Sequence, residues 1–239
     1  MNKTLYRFVS WGFQELFRGG DVIGQENLPA TGPAVFVANH LGALGPIAVG
    51  GSLHYFLHPW IHADILDPRR AADYLRRDFI APQLRVPPPF DRWLARGISK
   101  LHVPLLRAIG GIPVYHTRDG LQDTLSQTLE LLKLNRFILI FPEDPASSPD
   151  PQTAMRPFQK GFTRLGELYY EQTRRPLSFH PLAVHAATRS IRAGKPIRYN
   201  CLNHPASERQ RIKDMLEKNI RAMILQASHG EAVHLPLPN

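Results

Sequence analysis

Short apolar runs alternate along this chain with stretches whose apolar residues recur every three or four positions. That alternation predicts a mostly parallel β-sheet with helices packed on its faces. The candidate strands are AVFVAN (34–39), LHYFLHPWIHA (53–63), GGIPVYH (110–116), RFILIFPE (136–143), LSFHPLAVHA (177–186) and KPIRYNCL (195–202). Pro59 counts against the second, because proline withdraws a ladder donor. Between the third and fourth runs Leu121, Leu125, Leu129 and Leu132 fall at helical spacing, and Asn135 and Arg136 turn the chain into the next strand, which makes a strand–helix–strand unit. GFTRLGELYYEQT (161–173) reads as another helix. The stretch from Ser207 to Ala227 reads as a final one, displaying Ile212, Met215, Leu216, Ile220, Met223 and Ile224 on one side.

Two regions depart from this rhythm. Residues 1–19 predict an amphipathic helix: at 100° per residue Leu5, Tyr6, Val9, Phe13, Leu16 and Phe17 gather on one side and Lys3, Arg7, Gln14 and Arg18 on the other. Such a helix suits either a membrane interface or a docking place on its own domain. Residues 64–97 pair a basic, helical stretch, DPRRAADYLRRDF, with a proline-rich stretch expected to be extended, APQLRVPPPFDRW. They predict an insertion or lid within a single α/β domain spanning 20–239, a mostly parallel mixed sheet flanked by helices.

Composition narrows the chemistry. With 239 residues, 43% of them hydrophobic, the chain can bury a sizeable core. A net charge of +9 favours anionic partners: acidic lipid headgroups, phosphorylated substrates or nucleic acid. No nucleic-acid-binding module signature is present, so no nucleic acid partner is expected. Cys201, the single cysteine, excludes an intramolecular disulfide, suits a reducing cytosol and reads as a small packed residue. No run is long and apolar enough to span a membrane, and the first twenty residues lack the apolar region and cleavage site of a signal peptide. His54, His58 and His62 recur every four residues, but Pro59 interrupts the helix that a converging ligand set would need, so no metal is expected. Nucleophile-elbow, dinucleotide-binding and P-loop motifs are all missing.

The residues that invite chemistry are Asn39 and His40, at the end of the first strong strand. VIGQENLPATGPAVFVANH, LLRAIGGIPVYH, ILIFPE, RPFQKG, HPLAVHA and RAGKPI follow one another in an order that resembles the glycerolipid acyltransferase family, of the lysophospholipid and 1-acylglycerol-3-phosphate acyltransferase kind. The resemblance spans residues 20 to about 200. It implies that His40 is a general base taking the proton from an acceptor hydroxyl as that hydroxyl attacks a thioester, a task suited to imidazole. It further implies substrate-binding roles for Asn39, His116, Arg118, Glu143, Arg156 and Lys160. No cofactor is implied beyond an acyl-CoA or acyl carrier protein thioester as co-substrate. The implied partners are membrane lipids and an anionic membrane surface, and the implied place is cytoplasmic and peripheral on the membrane.

The chain also diverges from that pattern. The family's Asp five residues after the histidine, which would orient the imidazole, is Gly45 here, and the family's Ser is Gly42. His116 stands where an arginine usually binds the acceptor's phosphate, with Arg118 two residues on. FPEDPASS keeps Phe141, Pro142 and Glu143, loses the following glycine and arginine and adds Asp144, which argues against a glycerol-phosphate acceptor or for a different geometry. Asp64, Glu143 or Asp144 could stand in for the missing carboxylate in space, and an Asp introduced at Gly45 is expected to restore the pair. Phe79, Phe90 and Trp93 could line an acyl channel or pack beneath a long loop. Two classes stay open: an acyltransferase, or a catalytically inactive lipid- or acyl-binding protein of the same fold.

Overall fold

The computed structural model describes residues 21–42, 44–115, 117–185, 188 and 190–232. The helix expected over residues 1–19 and His116, expected to bind substrate, lie outside them, as do the side chains of Phe79 and Arg118. After β1 (Val22–Ile23), the strand β2 (Ala34–Ala38) reads AVFVA and is buried at every position, as a strand covered on both faces must be. The remaining strands are β3 (Leu57–His62), β4 (Ile112–Val114), β5 (Phe137–Ile140), β6 (Ser178–His185), β7 (Ser190–Ala193) and β8 (Ile197–Arg198). Among the described residues they form one sheet in the order β1-β7-β6-β2-β5-β3-β4, with β8 also on β6. From β6 to β4 every pairing is parallel, while β7 and β8 meet β6 antiparallel. This is the single α/β domain with a mostly parallel mixed sheet that the pattern predicts.

Pro59 is tolerated because β3 changes partner there: Leu57 to Pro59 pair with β5, and Trp60 to His62 pair with β4. The missing donor falls at the handover. The strand expected over 195–202 is shorter than its pattern, ending at Arg198 in a turn that leaves Cys201 exposed rather than packed.

Helices cover both faces, and their placement follows from the direction of the crossovers. α1 (Leu44–Ser52) carries the chain from β2 across β5 to β3; α5 (Arg118–Lys133) and α6 (Arg164–Thr173) carry it back, from β4 to β5 and from β5 to β6. Right-handed crossovers travelling in opposite directions put their helices on opposite faces. Packing agrees, since alternate residues of β2 feed two separate cores. Phe36 and Ala38 join Val49, Leu53, Leu139 and Leu182, whereas Val35 and Val37 join Leu125, Leu129, Leu165 and Tyr169. The long α7 (Pro205–Ala232) adds Ile212, Leu216, Ile220 and Ile224 to the second core. Thr117 starts α5 by accepting the Gly120 N–H at 3.2 Å.

Between β3 and β4 run α2 (Ala63–Leu66), α3 (Ala71–Leu75), a π-helical stretch (Arg76–Leu84) and α4 (Phe90–Ala108). The sequence pattern made residues 81–93 extended; instead the prolines at 87–89 sit just ahead of the first turn of α4, where missing N–H groups cost little. Leu75, Ile80 and Ala95 form a small third core for this segment. No helix among the described residues is long and apolar enough to cross a membrane.

Candidate functional site

β2 and β5 lie side by side, yet the chain leaves them toward opposite faces, through α1 and α6. The crevice beyond their carboxyl ends is therefore a topological switch point, where open α/β sheets bind ligands. Val37 is in register with Ile140, so three residues further along each strand His40 comes opposite Glu143. The backbone N–H of His40 donates to Glu143 Oε1 at 2.8 Å, and the other carboxylate oxygen accepts the backbone N–H of Arg156 at 3.0 Å. Glu143 thus ties together the ends of β2 and β5 and the returning segment, which runs antiparallel to it through a Glu143–Phe158 bridge and a Gln159 N–H to Pro142 carbonyl bond of 2.8 Å.

His40 rests edge-on against Phe141, with ring centroids 5.3 Å apart. By surface area the residue is exposed, but enough protein surrounds its ring that desolvation holds the imidazole below its ordinary pKa of 6.5. The charge of Glu143 pulls the other way and is the smaller effect. The imidazole is therefore uncharged at neutral pH and available to accept a proton. Among the described residues no side chain hydrogen-bonds the ring.

The backbone closes tightly after His40. Leu41 and Gly42 take positive φ values of 43° and 61°, and the chain closes with the Gly45 N–H donating to the His40 carbonyl at 3.1 Å. A Cβ at Gly45 would lie 2.1 Å from that carbonyl oxygen and 2.9 Å from the Asn39 oxygen. An Asp introduced here to restore the family's pair meets this contact, and any side chain at position 45 must first open the turn.

The other sequence-predicted residues divide into those gathered here and those placed elsewhere. Asn39 is buried, 1% exposed, and its carboxamide both donates to the Val184 carbonyl at 3.0 Å and accepts the Val184 N–H at 2.7 Å. It extends the β2–β6 ladder by one side chain and sets the point at which His40 leaves the sheet. The Arg156 guanidinium donates to the carbonyls of Pro145 and Ser147, holding the loop after Glu143. Asp144 accepts from Ser147 Oγ at 2.9 Å, the Ala146 N–H and Gln159 Nε2, bonds that keep its carboxyl below the usual range and hence ionised. Lys160 lies on a separate cleft of about 410 Å³ with Gly161, Arg164, Ala206 and Arg209. Asp64 sits at the start of α2, ion-paired to Arg70 at 2.9 Å. Of the three candidate stand-in carboxylates, Glu143 is the one that reaches His40, through its backbone rather than its ring.

His58 and His62 serve the β3 region. His58 Nδ1 is 3.1 Å from the Gly110 carbonyl, and His62 Nδ1 accepts the Asp64 N–H that begins α2. No group of three His, Cys, Asp or Glu among the described residues is arranged to hold a metal. Sequence reasoning assigned no role to the Phe141 ring, which shields one edge of His40; the parallel pairing of β2 with β5 is the signal that would have found it.

No protein-family model and no curated protein matches this sequence. Among solved structures the chain is similar in fold to the 1-acyl-sn-glycerophosphate (LPA) acyltransferase PlsC from Thermotoga maritima, with a TM-score of 0.52 and 16% identity over 99% of this chain and 81% of that one.

Proposed function

We propose that this protein transfers a fatty acyl group from a thioester, acyl-CoA or acyl carrier protein, to the hydroxyl of a lysolipid or related acceptor at a membrane surface. The observation that carries the reading is an uncharged His40 at the switch-point crevice of a fold shared with an acyltransferase. His40 removes the acceptor's hydroxyl proton as the oxygen attacks the thioester carbonyl. The tetrahedral intermediate then collapses with cleavage of the carbon–sulfur bond, and the imidazolium returns the proton to the departing thiolate. Glu143, with its charge close to His40, stabilises the imidazolium between those two steps. An ionised Asp144 and an Arg156 engaged with loop carbonyls favour an acceptor that does not present a bare phosphate here.

The test is release of free thiol from acyl-CoA or acyl carrier protein in the presence of a panel of lysolipids, with product identified by mass spectrometry. His40→Ala should lower turnover by roughly 10²-fold or more. A folded His40→Ala protein that turns over at the parent rate would remove His40 from the reaction. The second reading, an inactive lipid- or acyl-binding protein, is favoured by the lack of any ring partner for His40 among the described residues and by the closed turn at Gly45. It predicts acyl-chain binding without thiol release, and an unchanged lipid profile in cells lacking the protein.

A further inference from the structure

α4 is apolar on more than its inward side. Its inward side carries Asp91, Ala95, Ser99 and Val103, all buried, with Asp91 facing Arg76 at 3.5 Å. Its other side points away from the domain and carries large apolar side chains: Phe90 is 67% exposed, Trp93 75% and Leu101 76%, with Leu94 beside them. At 100° per residue these four fall within one arc of about 100°, in which Gly97 and Pro104 are also exposed. Arg96 and Lys100, both exposed, flank one edge of that arc, and among the described residues neither is in an ion pair.

Single exposed apolar residues need no explanation, but a contiguous aromatic and aliphatic stripe on one helix marks a surface that something covers. We propose that this face of α4 is an interfacial membrane anchor: Phe90, Trp93, Leu94 and Leu101 enter the headgroup–acyl boundary, and Arg96 and Lys100 meet the phosphates of anionic lipids. Charge selects this occupant. Residues 1–19 offer an apolar stripe as well, but they carry Lys3, Arg7 and Arg18 against a single Glu15 and would meet a basic edge with like charge. An anionic bilayer complements both the stripe and its edge. The inference does not rest on acyl transfer, since binding is read without substrate.

The test is co-sedimentation of the full chain with vesicles of phosphatidylcholine alone and of phosphatidylcholine mixed with phosphatidylglycerol, with circular dichroism confirming the fold of each variant. The double variant Trp93→Ser, Leu101→Ser should bind the anionic vesicles at least about 10-fold more weakly, and Arg96→Glu, Lys100→Glu should abolish the preference for anionic over neutral vesicles. Binding of the parent should weaken as salt is raised. Parent-like binding by the folded Trp93, Leu101 variant, together with loss of binding in Phe13→Ser, Phe17→Ser, would overturn the proposal in favour of residues 1–19. So would shielding of Trp93 from iodide quenching in vesicle-free protein, because a segment of the chain would then already cover the face.

Discussion

The crevice between β2 and β5 and the helical segment between β3 and β4 use the same residue types in opposite ways. Around the crevice the aromatic and aliphatic side chains are inside and the polar groups are matched: both Glu143 oxygens accept backbone N–H groups, and Asn39 bonds Val184 twice. In the segment the largest apolar groups face outward, while α4 is held by small residues, by the Asp91–Arg76 pair and by Arg107 Nε donating to the Leu66 carbonyl at 3.0 Å. A large apolar side chain therefore stabilises the first region, whereas one on the outward face of α4 adds little to stability.

The sharpest contrast should come from truncating an aromatic in each. Phe36 is fully buried and packs against Tyr55, Phe137 and His180, so Phe36→Ala should cost about 3–5 kcal/mol in denaturant unfolding. Trp93→Ala should change stability by less than about 0.5 kcal/mol. Comparable losses from the two would break the comparison and return Trp93 to the core.

Glycine to alanine should then change sign between the regions. At Gly45 the added methyl meets the His40 carbonyl, and a loss of about 2 kcal/mol or more is expected, together with reduced turnover as the His40 turn opens. Gly97 lies within α4 with open space around it, so Gly97→Ala should stabilise by up to about 1 kcal/mol. Thermal melts of both variants decide it; a stabilising Gly45→Ala would mean that the turn is not closed as described.

A smaller effect belongs to charge. Glu143→Gln leaves one backbone N–H facing an amide that cannot accept it, which should cost about 1–3 kcal/mol. It also removes the one influence that raises the His40 pKa. The free base would then persist to lower pH, so the acid limb of the rate profile should move downward in pH while the plateau rate falls. Asp91→Asn, in the helical segment, should leave that limb where it is. A limb that rises or stays fixed in Glu143→Gln would detach Glu143 from His40.

Much of this was legible in the chain. An apolar run without alternation announces a strand buried on both faces, and β2, β5 and β6 follow; leucines at helical spacing announce α5, and the longer amphipathic pattern announces α7. Those elements obey local rules, because their periodicity and burial are the same fact. α4 escaped because its apolar stripe does not face the core and its proline-rich start looks extended. The candidate base was legible as His40, but its setting was not.

By itself, then, the sequence determined the alternation of strands and helices, the position of the Asn39–His40 pair at a strand end, and the absence of a carboxylate at position 45. Tertiary structure alone decided that β5 lies beside β2, which brings Glu143 to a histidine 103 residues away. It also decided that the turn after β2 excludes a side chain at Gly45 and that α4 turns its aromatics outward. The physical reason is common to all three: each depends on which surfaces meet across long stretches of chain, and a residue's local pattern carries its own periodicity but not the identity of its neighbour.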